Sequence, residues 1–235
     1  ENASGANFRS LPPTTDPQRY FPRLSQVVQG NLTQTNPTIN AAWETVSNIQ
    51  RDLNFALTVR DNGTGGGQVV TATTVVQVIN AAGPFLVTSQ NSGETYSAGS
   101  VQTVTWNVAN TDIAPINTET VDIFLSVDGG NSFPIQIADD VLNDGSEELL
   151  LPANTTDMGR IMVKASDNIF FAVNSSDFTI EESPVVLDFE TLDVEVCQPN
   201  DLVVPFVYNT SGGFGETSTF SADAPVGLTV AFSPT

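Results

Sequence analysis

The strongest constraint in this chain is alternation. Val104, Trp106 and Val108 alternate with Thr103, Thr105 and Asn107, and Val121, Ile123, Leu125 and Val127 repeat the pattern. A period of two puts one side of an extended strand on a buried face and leaves the other to solvent. The signal opens earlier, at Leu53, Phe55, Leu57 and Val59, and returns in the Val- and Thr-rich run from Val69 to Val78. It recurs in shorter form at Leu149 to Leu151, Ile161 to Ala165 and Phe178 to Ile180. No segment holds a 3.6-residue apolar repeat with helical caps, and Asn40 to Asn54, good for a turn or two, is the nearest candidate. Short strands punctuated by turn residues predict an all-β chain of sandwich type.

Breakers divide the chain. Residues 1 to about 42 contain Leu11-Pro12-Pro13, Asp16-Pro17, Phe21-Pro22 and Asn36-Pro37, which predict an irregular, surface-wrapped segment. The two strands from Leu53 to Val78, joined by the turn Arg60 to Gly67, are expected to form a hairpin that closes a sandwich. Gly83-Pro84 marks a boundary, and Glu181-Glu182-Ser183-Pro184 reads as a linker to a third unit of about four strands. The expected organisation is therefore a partial PKD- or cadherin-like sandwich at 1–82, a complete immunoglobulin- or fibronectin-III-like sandwich at 83–181, and the start of a third at 182–235. An open sheet as small as the last cannot bury both faces, so the first and last units are expected to be incomplete.

Composition removes several chemistries. The chain has no His and one Cys, so a Ser-His-Asp triad, a Cys-His pair, an H-E-x-x-H zinc helix and a Cys-rich zinc site are all excluded. A formal charge of -20 opposes nucleic-acid binding, which needs the opposite sign. No apolar run approaches the ~20 residues of a membrane helix. Charged residues are only 14%, and the Thr, Ser, Asn and Val that replace them suit a turn-rich extracellular module, secreted or at a cell surface. The start at Glu1 shows neither a basic end nor an apolar stretch, which reads as a beginning inside a longer chain. Sequons at Asn2, Asn31, Asn62, Asn154, Asn174 and Asn209 are what chance gives in such a composition.

Few motifs carry chemistry. Ser126, Asp128, Gly130 and Phe133 match the Asp-box pattern, in which the carboxylate accepts from turn N–H groups, glycine supplies positive φ and the aromatic packs beneath the turn. Its expected role is structural. Asp139, Asp140 and Asp144, read as one loop, are the candidate Ca²⁺ ligands, although EF-hand spacing is missing. Asp61 with Asn62, Asp167 with Asn168, and the run Asp188, Glu190 and Asp193 read as turn or solvent-face acids. Paired carboxylates admit a glycosidase reading, but two Trp and three Tyr give too few sugar platforms. Trp106 is expected in the core, whereas Trp43 is divided between anchoring the irregular segment and facing solvent. Cys197 has no basic neighbour to make it a reactive thiolate, and its disulfide partner is expected beyond this segment.

Several stretches together resemble the region after the catalytic domain in large secreted reprolysin-like zinc metallopeptidases of the Bacteroidetes. They are Arg19-Tyr20-Phe21-Pro22-Arg23-Leu24, Leu53 to Asn62 with the triple Gly, Ala82-Gly83-Pro84-Phe85, Gln102 to Ala109, Ala114 to Asn117, Leu125 to Pro134, Asn143 to Ser146 and Asn168 to Phe171. The likeness continues weakly through Val196 to Pro199 and Phe232 to Pro234. It implies a parent metalloendopeptidase whose zinc sits upstream on an H-E-x-x-H-x-x-G-x-x-H helix, strands preceding the irregular segment, and often a C-terminal domain for type IX secretion. No zinc ligand carries over onto this chain, which is expected to be non-catalytic, to bind no cofactor except Ca²⁺, and to contact a protein or polysaccharide surface and neighbouring domains. A cell-surface adhesin or glycan-binding array is the alternative.

Overall fold

The computed structural model describes residues 5–8, 10, 12–33, 44–189, 194, 201–211 and 214–233. Trp43, Glu190, Asp193 and Cys197 lie outside them. The chain is all-β, apart from the five-residue helix α1 (Leu24–Val28). The nearest helical candidate, Asn40 to Asn54, forms no helix in its described part: residues 44–50 are irregular and Arg51 begins a strand. The β-branched and aromatic residues that follow favour the extended form.

Strands β1 (Arg51–Arg60) and β2 (Val69–Val78) form an antiparallel hairpin in continuous register, from Arg51 opposite Val78 to Arg60 opposite Val69. It does not close a sandwich among the described residues, because neither strand pairs with a third. Alternation puts Leu53, Phe55, Leu57 and Val59 on one face as expected. Among the described residues the base of that face is covered, where Phe55 meets Phe21 at 5.0 Å and Phe8 at 5.9 Å, while Leu57 is 66% exposed.

A two-sheet body follows. The first sheet orders β3 (Leu86–Val87), β5 (Val101–Asn107) and β8 (Ser146–Leu150). The second runs β4 (Thr95–Ser97), β11 (Phe178–Glu181), β9 (Thr156–Ala165), β6 (Thr120–Ser126), β7 (Ile135–Leu142), with β10 (Phe171–Val173) also on β9. All pairings are antiparallel except β4 with β11. One apolar core joins the sheets: Val87, Val104, Trp106 and Leu149 from the first meet Val121, Ile123, Leu125, Ile161, Val163, Phe178 and Ile180 from the second. Val121, Ile123 and Leu125 are fully buried, so the alternation selects the inward face there. Burial at this scale contributes roughly 1.5–3 kcal/mol per large side chain.

Strand β9 departs from alternation because it is covered on both sides. Arg160, Ile161, Met162 and Val163 are all buried, and Met162 is not part of the core between the sheets. The N-terminal segment reaches this region, with Tyr20 on Phe171 at 5.2 Å between ring centres and Arg160 Nη1 donating to the Val28 carbonyl at 3.4 Å.

Of the four strands expected after Val185, two occur among the described residues, β12 (Val185–Phe189) and β13 (Phe206–Thr210), paired antiparallel. Residues 214–233 contribute rings instead: Phe220 packs against Phe206 and Tyr208, each at 5.4 Å.

Candidate functional site

The Asp-box forms the turn between β6 and β7. Ser126 Oγ donates to Asp128 Oδ1 at 2.7 Å and accepts from Gly130 N at 2.9 Å. Asp128 Oδ1 also accepts from Ser132 N at 3.0 Å, and Oδ2 from Ser132 Oγ at 2.7 Å. Gly129 and Gly130 supply positive φ, at 74° and 81°. Phe133 is half-buried. Burial alone pushes the Asp128 carboxyl up, but the hydrogen bonds from Ser126, Ser132 and the Asn131 backbone outweigh it and hold the group below the usual aspartate value. Its acceptor capacity is spent inside the turn, so this carboxylate is a structural group.

The turn has a second contact that the motif does not announce. A Cβ on Gly130 would fall 2.6 Å from Val28 Cγ2, so glycine lets α1 lie directly against the Asp-box. Arg160, opposite Ser126 in the β6–β9 register, completes the contact through the Val28 carbonyl and also donates to Asn174 O at 2.9 Å.

The three candidate calcium ligands do not lie in one loop. Asp139 and Asp140 belong to β7, and only Asp144 is in the turn that follows it. Strand β7 is outermost in its sheet and its register with β6 shifts twice, so acids can remain on it in solvent. Asp139 accepts from Gln136 at 2.6 Å, Asp140 from Thr120 at 3.2 Å and Asp144 from Ser146 N at 3.3 Å. Among the described residues, no three His, Cys, Asp or Glu side chains gather as a metal-ligand set. Asp188 lies on β12 and is exposed.

Trp106 is buried, and its ring nitrogen donates to Asn143 Oδ1 at 2.9 Å. The Asn143 amide donates in turn to Thr111 Oγ1 at 3.0 Å and Thr118 O at 3.1 Å. A second buried amide, Asn174, accepts from Ile161 N at 2.9 Å and donates to Ser176 O at 2.6 Å. Neither Asn is distinguishable by sequence from the many turn Asn residues; only its place opposite a buried donor marks it.

One concave feature among the described residues is a cleft of about 510 Å³ where the two-sheet body adjoins the β12–β13 pair. Ala98, Leu151, Pro152 and Val186 give it apolar wall, and Glu182, Asp188, Asn209 and Ser211 give it carboxylate, amide and hydroxyl groups. Gly99, at φ 74°, allows the approach of Val186, since a Cβ there would fall 2.6 Å from Val186 Cγ1. Sequence reasoning missed this site because its walls come from separate stretches of the chain, at Ala98, 150–155, 182–188 and 209–211. The described residues contain no helix long and apolar enough to cross a membrane. In comparison with known proteins, the chain matches no protein-family model and has no significant match among curated proteins.

Proposed function

We propose that this chain is a non-catalytic accessory region of a secreted bacterial zinc metallopeptidase, with sandwiches of immunoglobulin or fibronectin-III type. Its role is to space the catalytic domain and to hold a protein or polysaccharide surface. The observation that carries the reading is the ordered series of resembling segments from Arg19 to Phe171 in a chain without a single His. The Asp-box agrees with it, because its carboxylate is committed to turn hydrogen bonds. The cleft beside β12 and β13 supplies the mixed apolar and hydrogen-bonding surface that such contact needs.

The test is deletion of residues 83–235 from the intact protein. Cleavage of a short soluble peptide is expected to continue, while retention on and digestion of insoluble protein or polysaccharide-coated substrate falls. Turnover of peptides or glycans by the isolated chain overturns the reading. The adhesin alternative draws on the hydroxyl and amide groups of the same cleft. It predicts that the full reading frame continues into further sandwiches without H-E-x-x-H, and that the isolated chain binds glycans directly.

A further inference from the structure

The chain contains one Asn-Gly sequence, Asn62-Gly63, and the fold places it at the tip of the β1–β2 hairpin. Both residues are exposed, and Asn62 has φ 52°, in the left-handed region. The Asn62 side chain makes no hydrogen bond among the described residues. Beside it, Asp61 Oδ1 accepts from Gly63 N at 3.0 Å and from Gln68 N at 2.9 Å. Gly67 leaves room for that carboxylate, since a Cβ there would fall 2.8 Å from Asp61 Oδ1. A carboxylate is thus held on the one backbone N–H whose nitrogen can close a five-membered ring onto the Asn62 side chain, and glycine leaves that nitrogen unhindered.

We infer that Asn62 is a self-modifying site, converted to aspartate and isoaspartate by its own turn, with Asp61 as the base. Asp61 takes the Gly63 amide proton, and the nitrogen attacks Asn62 Cγ. The N–Cγ bond forms, the Cγ–Nδ2 bond breaks, and the side-chain nitrogen leaves as ammonia with the proton that Asp61 returns. Water then opens the cyclic imide at either carbonyl, so water is the only co-reactant. The product places a new charge where none was in excess. Arg9, Arg19, Arg23, Arg51 and Arg60 offset Glu1, Asp16, Glu44, Asp52 and Asp61, so residues 1–82 are balanced and the whole -20 falls on residues 83–235.

The test incubates the full chain for weeks at neutral pH and physiological temperature and follows it by peptide mapping and isoaspartyl methyltransferase labelling. A gain of about 1 Da at residue 62, ahead of every other Asn, is expected. Asp61→Asn keeps an oxygen for the Gly63 and Gln68 N–H groups but removes the base, and should slow the reaction by about tenfold or more. Gly63→Ala should stop it without disturbing the turn, because its Cβ would sit at an ordinary 3.5 Å from Asp61 Oδ1. No accumulation at Asn62, or an Asp61→Asn rate equal to or above that of the unaltered chain, overturns the assignment.

Discussion

Replacing Asn143 by Ala probes whether the core of the two-sheet body depends on a polar fastening as well as on apolar area. Asn143 is 4% exposed and joins the Trp106 ring nitrogen to Thr111 and to the Thr118 carbonyl. The substitution strands the Trp106 N–H and the Thr118 carbonyl, whereas Thr111 Oγ1 keeps its bond to Val108 O at 2.7 Å. Each of the two stranded buried groups costs about 1–3 kcal/mol, which sets the expected loss at roughly 2–6 kcal/mol. Water entering the vacated space would bring the low end. Urea unfolding followed by far-UV circular dichroism measures it without relying on Trp fluorescence. Trp106→Phe removes the donor from the other side, and the two changes share one bond, so the double variant should cost at least about 1 kcal/mol less than the sum of the singles. An Asn143→Ala loss below about 0.5 kcal/mol, the range of ordinary surface changes, refutes the reasoning, as does strict additivity.

Gly130→Ala should push Val28 off the Asp-box and cost about 1–3 kcal/mol, read as faster proteolysis across residues 19–32 with the two-sheet body intact. Asp128 has a folded value below its unfolded one, so its stabilisation is present above the ordinary aspartate value of about 3.9 and is lost as pH falls through the folded value. Asp128→Asn should therefore lower stability at neutral pH and flatten the acid limb of the stability profile; an unchanged limb would count against the assigned hydrogen bonds. Asn174→Ala should strand the Ile161 N–H inside a buried strand and cost about 1–3 kcal/mol, measured by thermal melting. In a glycosylating host, the folded chain should stay unmodified at Asn174, which is 1% exposed, while Asn154 is open in its loop.

The alternation was legible wherever one face of a strand meets the core and the other meets water. Trp106 and the run Val121, Ile123 and Leu125 are of that kind. It misled at Leu57 and Val59, because period two reports which residues share a face and says nothing about whether anything covers it. Strand β7 escaped notice because Asp139 and Asp140 lie on an outermost strand whose register shifts, where charge is tolerated and periodicity breaks. The Asp-box declared its turn through local spacing. Its contact with Val28 could not be read, since it joins positions about a hundred apart and depends on a missing Cβ. Separation along the chain hid the cleft as well, since its walls come from several distant stretches.

The pairing of β4 with β11 gives the two-sheet body a direction of mechanical strength. The two strands run parallel, with Thr95, Tyr96 and Ser97 beside Thr179, Ile180 and Glu181, and further bonds from Thr179 N to Glu94 O and Ala98 N to Glu181 O. Tension that draws the start of β4 away from the end of β11 slides the strands along each other, so these bonds carry the load together and not one by one. A chain held under tension in that direction would meet its resistance there, and its lifetime under load would be set by how fast that patch shears.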